Sequence, residues 1–171
     1  MSDYIFYFAY GSNMSSIRLK ERISSAKFIC VAKLLDHTLK FHKISKKDGS
    51  GKCDASYTGK SKDFILGAVY SVHKDQLNDL DRFEGCGSGY KRKLVSVIIE
   101  SNKTMSAETY IATKIDKLLR PFDWYKEHVL RGAQAIGLSP EYISMINEVS
   151  ADPDPNVERR MSELSIYENK S

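Results

Sequence analysis

The chain has 171 residues, 42% hydrophobic and 28% charged, the make-up of one globular domain able to bury on the order of 70% of its extended surface. That composition excludes disordered, collagen-like and coiled-coil chains. A net charge of +4 also falls short of the clustered excess that marks a dedicated nucleic-acid binder.

Tyr4 to Tyr10 is a short apolar, aromatic-rich run that reads as a buried strand, broken by Gly11-Ser12-Asn13. Met14 to Ser25 follows as a helix, with Met14, Ile17 and Ile23 near one face and Arg18, Lys20, Glu21 and Arg22 towards solvent. Lys27 to Ile44 reads as one or two strands, ending in a loop, Ser45 to Lys52, rich in turn residues. Cys53 to Thr58 and Phe64 to Val72 are further strands. The second is apolar on both alternating faces, which predicts a closed or covered sheet. His73 to Phe83 reads as a helix with Leu77 and Leu80 inward. Tyr90 to Glu100 and Thr104 to Ala112 flank Ser101-Asn102-Lys103 as a hairpin, with Val95, Val97 and Ile99 on one face.

Pro121 to Ile136 is an amphipathic helix striped by Phe122, Tyr125, Val129, Ala133 and Ile136, and Gly137 ends it. Ser139-Pro140 caps the next helix, since Ser accepts an orphan N–H and Pro suits the first turn. Asp152-Pro153-Asp154-Pro155 reads as a break. The domain is therefore expected over 1–150, with 151–171 a tail that is either a short docked helix or loose. The elements sum to an α+β domain with a strand-rich centre.

Three apparent motifs fail. Gly49-Ser50-Gly51-Lys52 resembles the end of a P-loop, but Lys46 stands where the first glycine belongs and Cys53 replaces the magnesium-holding Ser or Thr. Gly85, Gly87 and Gly89 follow a helix, where a dinucleotide fingerprint requires a strand. His37, His42, His73 and His128 lack zinc-ligand spacing. If His37 and His42 share a strand, their odd separation puts them on opposite faces. The lysines Lys40, Lys43, Lys46, Lys47, Lys52, Lys60 and Lys62 read as a solvated loop diluted by Asp48, Asp54 and Asp63.

Two segments carry chemistry. Tyr10-Gly11-Ser12-Asn13 joins a buried strand to a helix, where glycine lets backbone approach a ligand and free N–H groups favour an anion. The plain alternative is a helix cap by Ser12 or Asn13. Asp81-Arg82-Phe83-Glu84-Gly85 ends a helix on a carboxylate, which the helix dipole disfavours. Its alternatives are a solvated glutamate and one projecting into a cavity.

In order along the chain, these segments resemble the γ-glutamylcyclotransferase family, in its YGSN-type, AIG2-like form. Tyr7-Phe8-Ala9-Tyr10-Gly11-Ser12-Asn13-Met14 is similar to its N-terminal motif. Phe41-His42-Lys43 leading into Asp48-Gly49-Ser50-Gly51-Lys52, and Gly67-Ala68-Val69-Tyr70, match two further blocks. Leu80 to Gly85 followed by Ser88-Gly89-Tyr90 is similar to the segment with the catalytic glutamate. Tyr110 and the helix from Tyr125 to Leu138 extend the likeness to residues 4–149. After Glu84 the chain departs from the family: Cys86-Gly87 replaces a bulkier pair, and Tyr90-Lys91 leaves two positions for the next tyrosine.

The resemblance implies a small mixed β-barrel with surrounding helices. It implies cleavage of a γ-glutamyl amide by the substrate's own α-amine, giving 5-oxoproline and a free amino acid or amine, with no cofactor and no metal. Glu84 would be general acid and base. Backbone N–H groups at Gly11 and Ser12 would hold the oxyanion. Tyr10 or Asn13 would orient the α-carboxylate, and Tyr110 and Tyr125 would line the pocket. The expected partner is a small γ-glutamyl molecule, with no membrane and no nucleic acid, and a homodimer is left open.

The glutathione-specific and γ-glutamyl-lysine subfamilies resemble the chain less. Two alternatives stand beside cyclotransfer: a non-catalytic ligand-binding module on the same fold, and removal of a γ-glutamyl group from a bulky secondary-metabolite intermediate. Cys86 reads as a bystander thiol, with no base nearby. The three cysteines, Cys30, Cys53 and Cys86, form no disulfide framework. Neither a basic leader nor a run of ~20 apolar residues is present, so the expected location is a reducing one, the cytoplasm.

Overall fold

The computed structural model describes residues 2–168. Met1 and 169–171, at the ends of the expected domain and tail, lie outside the described residues. Strand β5 (Phe64–His73) pairs antiparallel with β1 (Tyr4–Ala9) on one edge and β2 (Lys27–Leu35) on the other. Strand β6 (Tyr90–Ile98) joins β2 and pairs along its length with β7 (Thr104–Ala112). One parallel bridge from Glu108 to Tyr7 then closes a barrel in the order β1-β5-β2-β6-β7. Closure covers both faces of β5, so Ile65, Ala68, Val69, Tyr70 and Val72 are all buried, as its two apolar faces predict.

The Lys27–Ile44 stretch is two strands. A turn at Asp36, in the left-handed region at φ 62°, separates β2 from β3 (His37–Ile44). β3 and β4 (Gly51–Tyr57) form their own hairpin, and their register shifts between Lys40 and Lys43. A bulge resets the alternation of side chains. Phe41, His42 and Lys43 are consequently buried in succession, and His37 and His42 are both buried although five residues apart.

The first helix is shorter than expected. A 3-10 turn, Ser12–Met14, comes first, and α1 spans only Ser16–Arg22. Its cap is Ser15, whose hydroxyl accepts the Arg18 N–H at 3.4 Å, so neither Ser12 nor Asn13 caps it. Arg18 is buried rather than solvated. The cause is α5 (Val157–Ser165), which lies over it and pairs Glu163 with the guanidinium at 2.5 Å. Helices α2 (Leu77–Glu84), α3 (Asp123–Ala135) and α4 (Pro140–Asn147) complete the set. Ser139 caps α4 through the Tyr142 N–H.

The segment before α5 is anchored too. Asp154 is buried, accepts the Trp124 indole N–H at 2.7 Å and pairs with Arg159 at 2.6 Å. These bonds hold its carboxyl down at about 2. Two apolar cores result. One includes Phe8, Tyr10, Met14, Val69, Val97, Tyr125 and Val129, the other Tyr7, Leu19, Tyr70, Leu80, Tyr90 and Tyr110. Among the described residues no helix is long and apolar enough to cross a membrane.

Candidate active site

Where the two cores meet they leave a cavity. Tyr10, Gly11, Ser12, Asn13, Glu84, Tyr110 and Tyr125, the residues singled out in the sequence, all line it, together with Tyr7, Cys53 and Tyr90. Strand β1 delivers Tyr7, and the turn after it delivers the Gly11–Asn13 backbone. Helix α2 ends on Glu84, and α3 brings Tyr125 in on its first turn.

Glu84 is half-buried at a helix C-terminus, and the site compensates with two donors. The Tyr7 hydroxyl donates to Oε1 at 2.7 Å and the Asn13 amide to the same oxygen at 2.6 Å. Oε2 has no hydrogen-bond partner among the described residues, and the residue faces the cavity. One carboxylate oxygen is therefore fixed and the other is available for proton transfer. Burial, reinforced by the Glu84 charge, holds the Tyr7 phenol well above its ordinary value, so it remains a donor at neutral pH.

The tyrosines divide by what their hydroxyls already do. Tyr10 donates to the Tyr110 carbonyl, Tyr90 to the Cys53 carbonyl, and Tyr110 to Asp81 at 2.6 Å. Tyr125 instead accepts the Cys53 N–H at 3.1 Å and turns its own O–H to the Cys53 sulfur. Burial raises all four phenols. Tyr90 is buried and lines the cavity, whereas Lys91 is exposed, so Tyr90 is the tyrosine that follows Glu84 into the site. Burial pushes the Cys53 thiol up to about 12, which makes it a wall and not a nucleophile.

Gly11 is required by packing as much as by any ligand. A Cβ there would lie 2.9 Å from Cys53 Cβ and 3.4 Å from the Tyr125 hydroxyl. The Gly11-initiated turn has no side-chain cap, and the Gly11 N–H meets no acceptor among the described residues. That N–H is available to the cavity.

Tyr7 was missed in the sequence because its hydroxyl role depends on α2 arriving opposite it, 77 residues later. Its place in the Tyr7-to-Met14 motif was the only available signal. Lys43 and Lys52 were misread as solvated. Lys43 is buried by the β3 bulge, and Lys52 is half-buried and paired with Asp48 at 2.8 Å. Among the described residues no three His, Cys, Asp or Glu side chains group as a metal site. His42 instead pairs with buried Asp54 at 2.8 Å, and His128 bonds to Arg18, Glu163 and Tyr167.

Residues 64–146 match the model of the AIG2-like family. The chain is 34% identical over 144 residues to human γ-glutamylcyclotransferase, covering 80% of this chain and 73% of the human one. The bovine γ-glutamylcyclotransferase is 32% identical over 151 residues, 84% of this chain and 77% of its own. A solved structure described as γ-glutamyl cyclotransferase superposes with a TM-score of 0.82 at 28% identity, covering 94% of this chain and 99% of that one.

Proposed function

Since the chain belongs to the γ-glutamylcyclotransferase family, a family of enzymes, we propose that it converts a γ-glutamyl amide to 5-oxoproline and a free amine at the cavity around Glu84. The observation that carries this reading is the divided carboxylate. Tyr7 and Asn13 hold Oε1, and Oε2 is free beside the Gly11–Asn13 loop.

In this reaction the substrate's α-ammonium gives a proton to Glu84 and its nitrogen attacks the γ-carbonyl carbon. The oxyanion that forms takes the N–H donors of Gly11 and Ser12, which line the cavity. As the intermediate collapses, Glu84 returns the proton to the departing nitrogen and the amide C–N bond breaks. Two protons leave the attacking nitrogen and two reach the departing one, so the carboxylate ends as it began. The nucleophile belongs to the substrate, and a five-membered ring closure presents it at high effective concentration. The Tyr10 hydroxyl and both amide hydrogens of Asn13 are engaged elsewhere, so the α-carboxylate falls to the loop backbone. Three free cysteines support a reducing, cytoplasmic setting.

The experiment is 5-oxoproline release from γ-glutamyl dipeptides by the native enzyme and by Glu84→Gln. The variant keeps the size and one acceptor of the side chain, and turnover should fall by ~10²-fold or more. Near-native release by the variant would remove Glu84 from the mechanism. Tight binding without release, by the native protein, would favour the non-catalytic module.

A further inference from the structure

A second, wider chamber adjoins the first and shares Ser12, Glu84, Tyr90 and Tyr125 with it. The two differ in charge. Among the described residues no cation lines the inner cavity, whereas Arg18, Arg22, Lys43, Lys46, Lys47, Lys52, Arg82 and Arg159 all line the outer chamber. Some of these charges are answered locally. Lys52 pairs with Asp48, Arg18 with Glu163, Arg159 with Asp154, and Arg82 with Asp79. Among the described residues, Arg22, Lys43, Lys46 and Lys47 have no carboxylate within ion-pair distance.

Lys43 is the sharpest of the four. It is only 9% exposed, and its ammonium sits 4.5 Å over the Tyr90 ring with no hydrogen-bond partner among the described residues. Gly89 makes the room, because a Cβ there would come within 2.7 Å of Lys43 Cε. A buried, unpaired ammonium is costly to keep, and an arriving anion repays that cost. Arg22 lines the same chamber as Glu84, 5.5 Å over the Phe83 ring and bonded to Asn13 Oδ1 at 3.4 Å.

This inference rests on the proposed function and names the leaving group it left open. With the γ-glutamyl part in the inner cavity, where no cation lies among the described residues, and the scissile amide beside Glu84, the departing amine must extend into the outer chamber. We infer that this enzyme selects γ-glutamyl substrates whose leaving group is polyanionic, such as an acidic amino acid with a side-chain carboxylate beside its α-carboxylate, and that Lys43 and Arg22 are the selecting residues. A single α-carboxylate satisfies one of these cations, and a second carboxylate satisfies the other.

The test compares near-isosteric pairs, γ-Glu-Glu against γ-Glu-Gln and γ-Glu-Asp against γ-Glu-Asn, by kcat/KM for 5-oxoproline release. The acid member of each pair should exceed its amide by ~10-fold or more at low salt, and the ratio should shrink as salt screens the chamber. In Lys43→Met the acid-to-amide ratio should drop towards one. Gly89→Ala should lower the ratio as well, since it displaces the flexible end of Lys43 and leaves every charge in place. Equal kcat/KM for acid and amide in the native enzyme would overturn the inference while leaving cyclotransfer intact. If no substrate releases 5-oxoproline, the cyclotransfer reading fails on its own. Calorimetric affinities of Glu84→Gln for γ-Glu-Glu and γ-Glu-Gln then decide the charge preference, with equal affinities counting against it.

Discussion

Gly11→Ala tests whether the loop after β1 is catalytic machinery or only a well-packed turn. The added Cβ would meet Cys53 Cβ at 2.9 Å, and ordinary contact starts at 3.4 Å, so loop and strand β4 must separate by about 0.5 Å. The partners are a strand's own Cβ and a tyrosine held by a hydrogen bond, so neither moves freely. Overpacking of this kind costs ~1–3 kcal/mol, which for a chain of this size lowers Tm by roughly 2–4 °C per kcal/mol. The same half-ångström moves the Gly11 and Ser12 N–H groups off the oxyanion. Since a 1 Å misplacement costs ~10²-fold, the fall in kcat/KM should be about tenfold. Steady-state 5-oxoproline release beside a thermal melt measures both. Adding Cys53→Gly removes the colliding Cβ and should recover much of the lost rate in a double-mutant cycle. A Gly11→Ala enzyme with lowered Tm and native kcat/KM would refute the reasoning, because the loop could then move without disturbing the reaction.

Tyr7→Phe removes a charge-assisted bond to Glu84, of a class worth ~1.5–3 kcal/mol, and should lower kcat about tenfold; unchanged kcat would mean that Asn13 alone positions the carboxylate. Tyr10→Phe and Tyr125→Phe should separate. The first leaves a buried carbonyl unmet and should show mainly in Tm, and the second leaves the Cys53 N–H unmet while removing a hydroxyl from the cavity and should show in both Tm and kcat/KM. Stability should also fall on acidification. Burial holds folded His128 down at about 4, below the ~6.5 of an unfolded chain, so the unfolded state binds its proton first as pH drops. The loss should begin near pH 6.5 and reach ~3 kcal/mol by pH 4 in urea titrations. Glu163, held at about 2 by its bonds to His128 and Arg18 against its burial, adds to the loss below about pH 4.5. A flat profile between pH 6.5 and 4 would mean that His128 is not buried as described.

Periodicity and turn chemistry in the sequence were enough for the strands, the hairpin, the amphipathic α3 and the Ser139 cap, because each is dictated by neighbours within a few residues. The resemblance added the barrel and Glu84, along with six cavity positions that local pattern alone would have assigned to caps and packing. What stayed hidden was decided by residues distant in sequence. Tyr7 and Asn13 clasp Glu84 only because β1 and α2 are brought face to face across more than 70 residues. Arg18 looks solvated until α5 folds back over it, and no short window contains that return. Lys43 is the clearest case. The β3 bulge turns it inward and Gly89, from another element, makes room for its ammonium. A lysine in a polar loop is a solvated charge by sequence, and only tertiary packing could bury it over the Tyr90 ring in the chamber that Glu84 also lines.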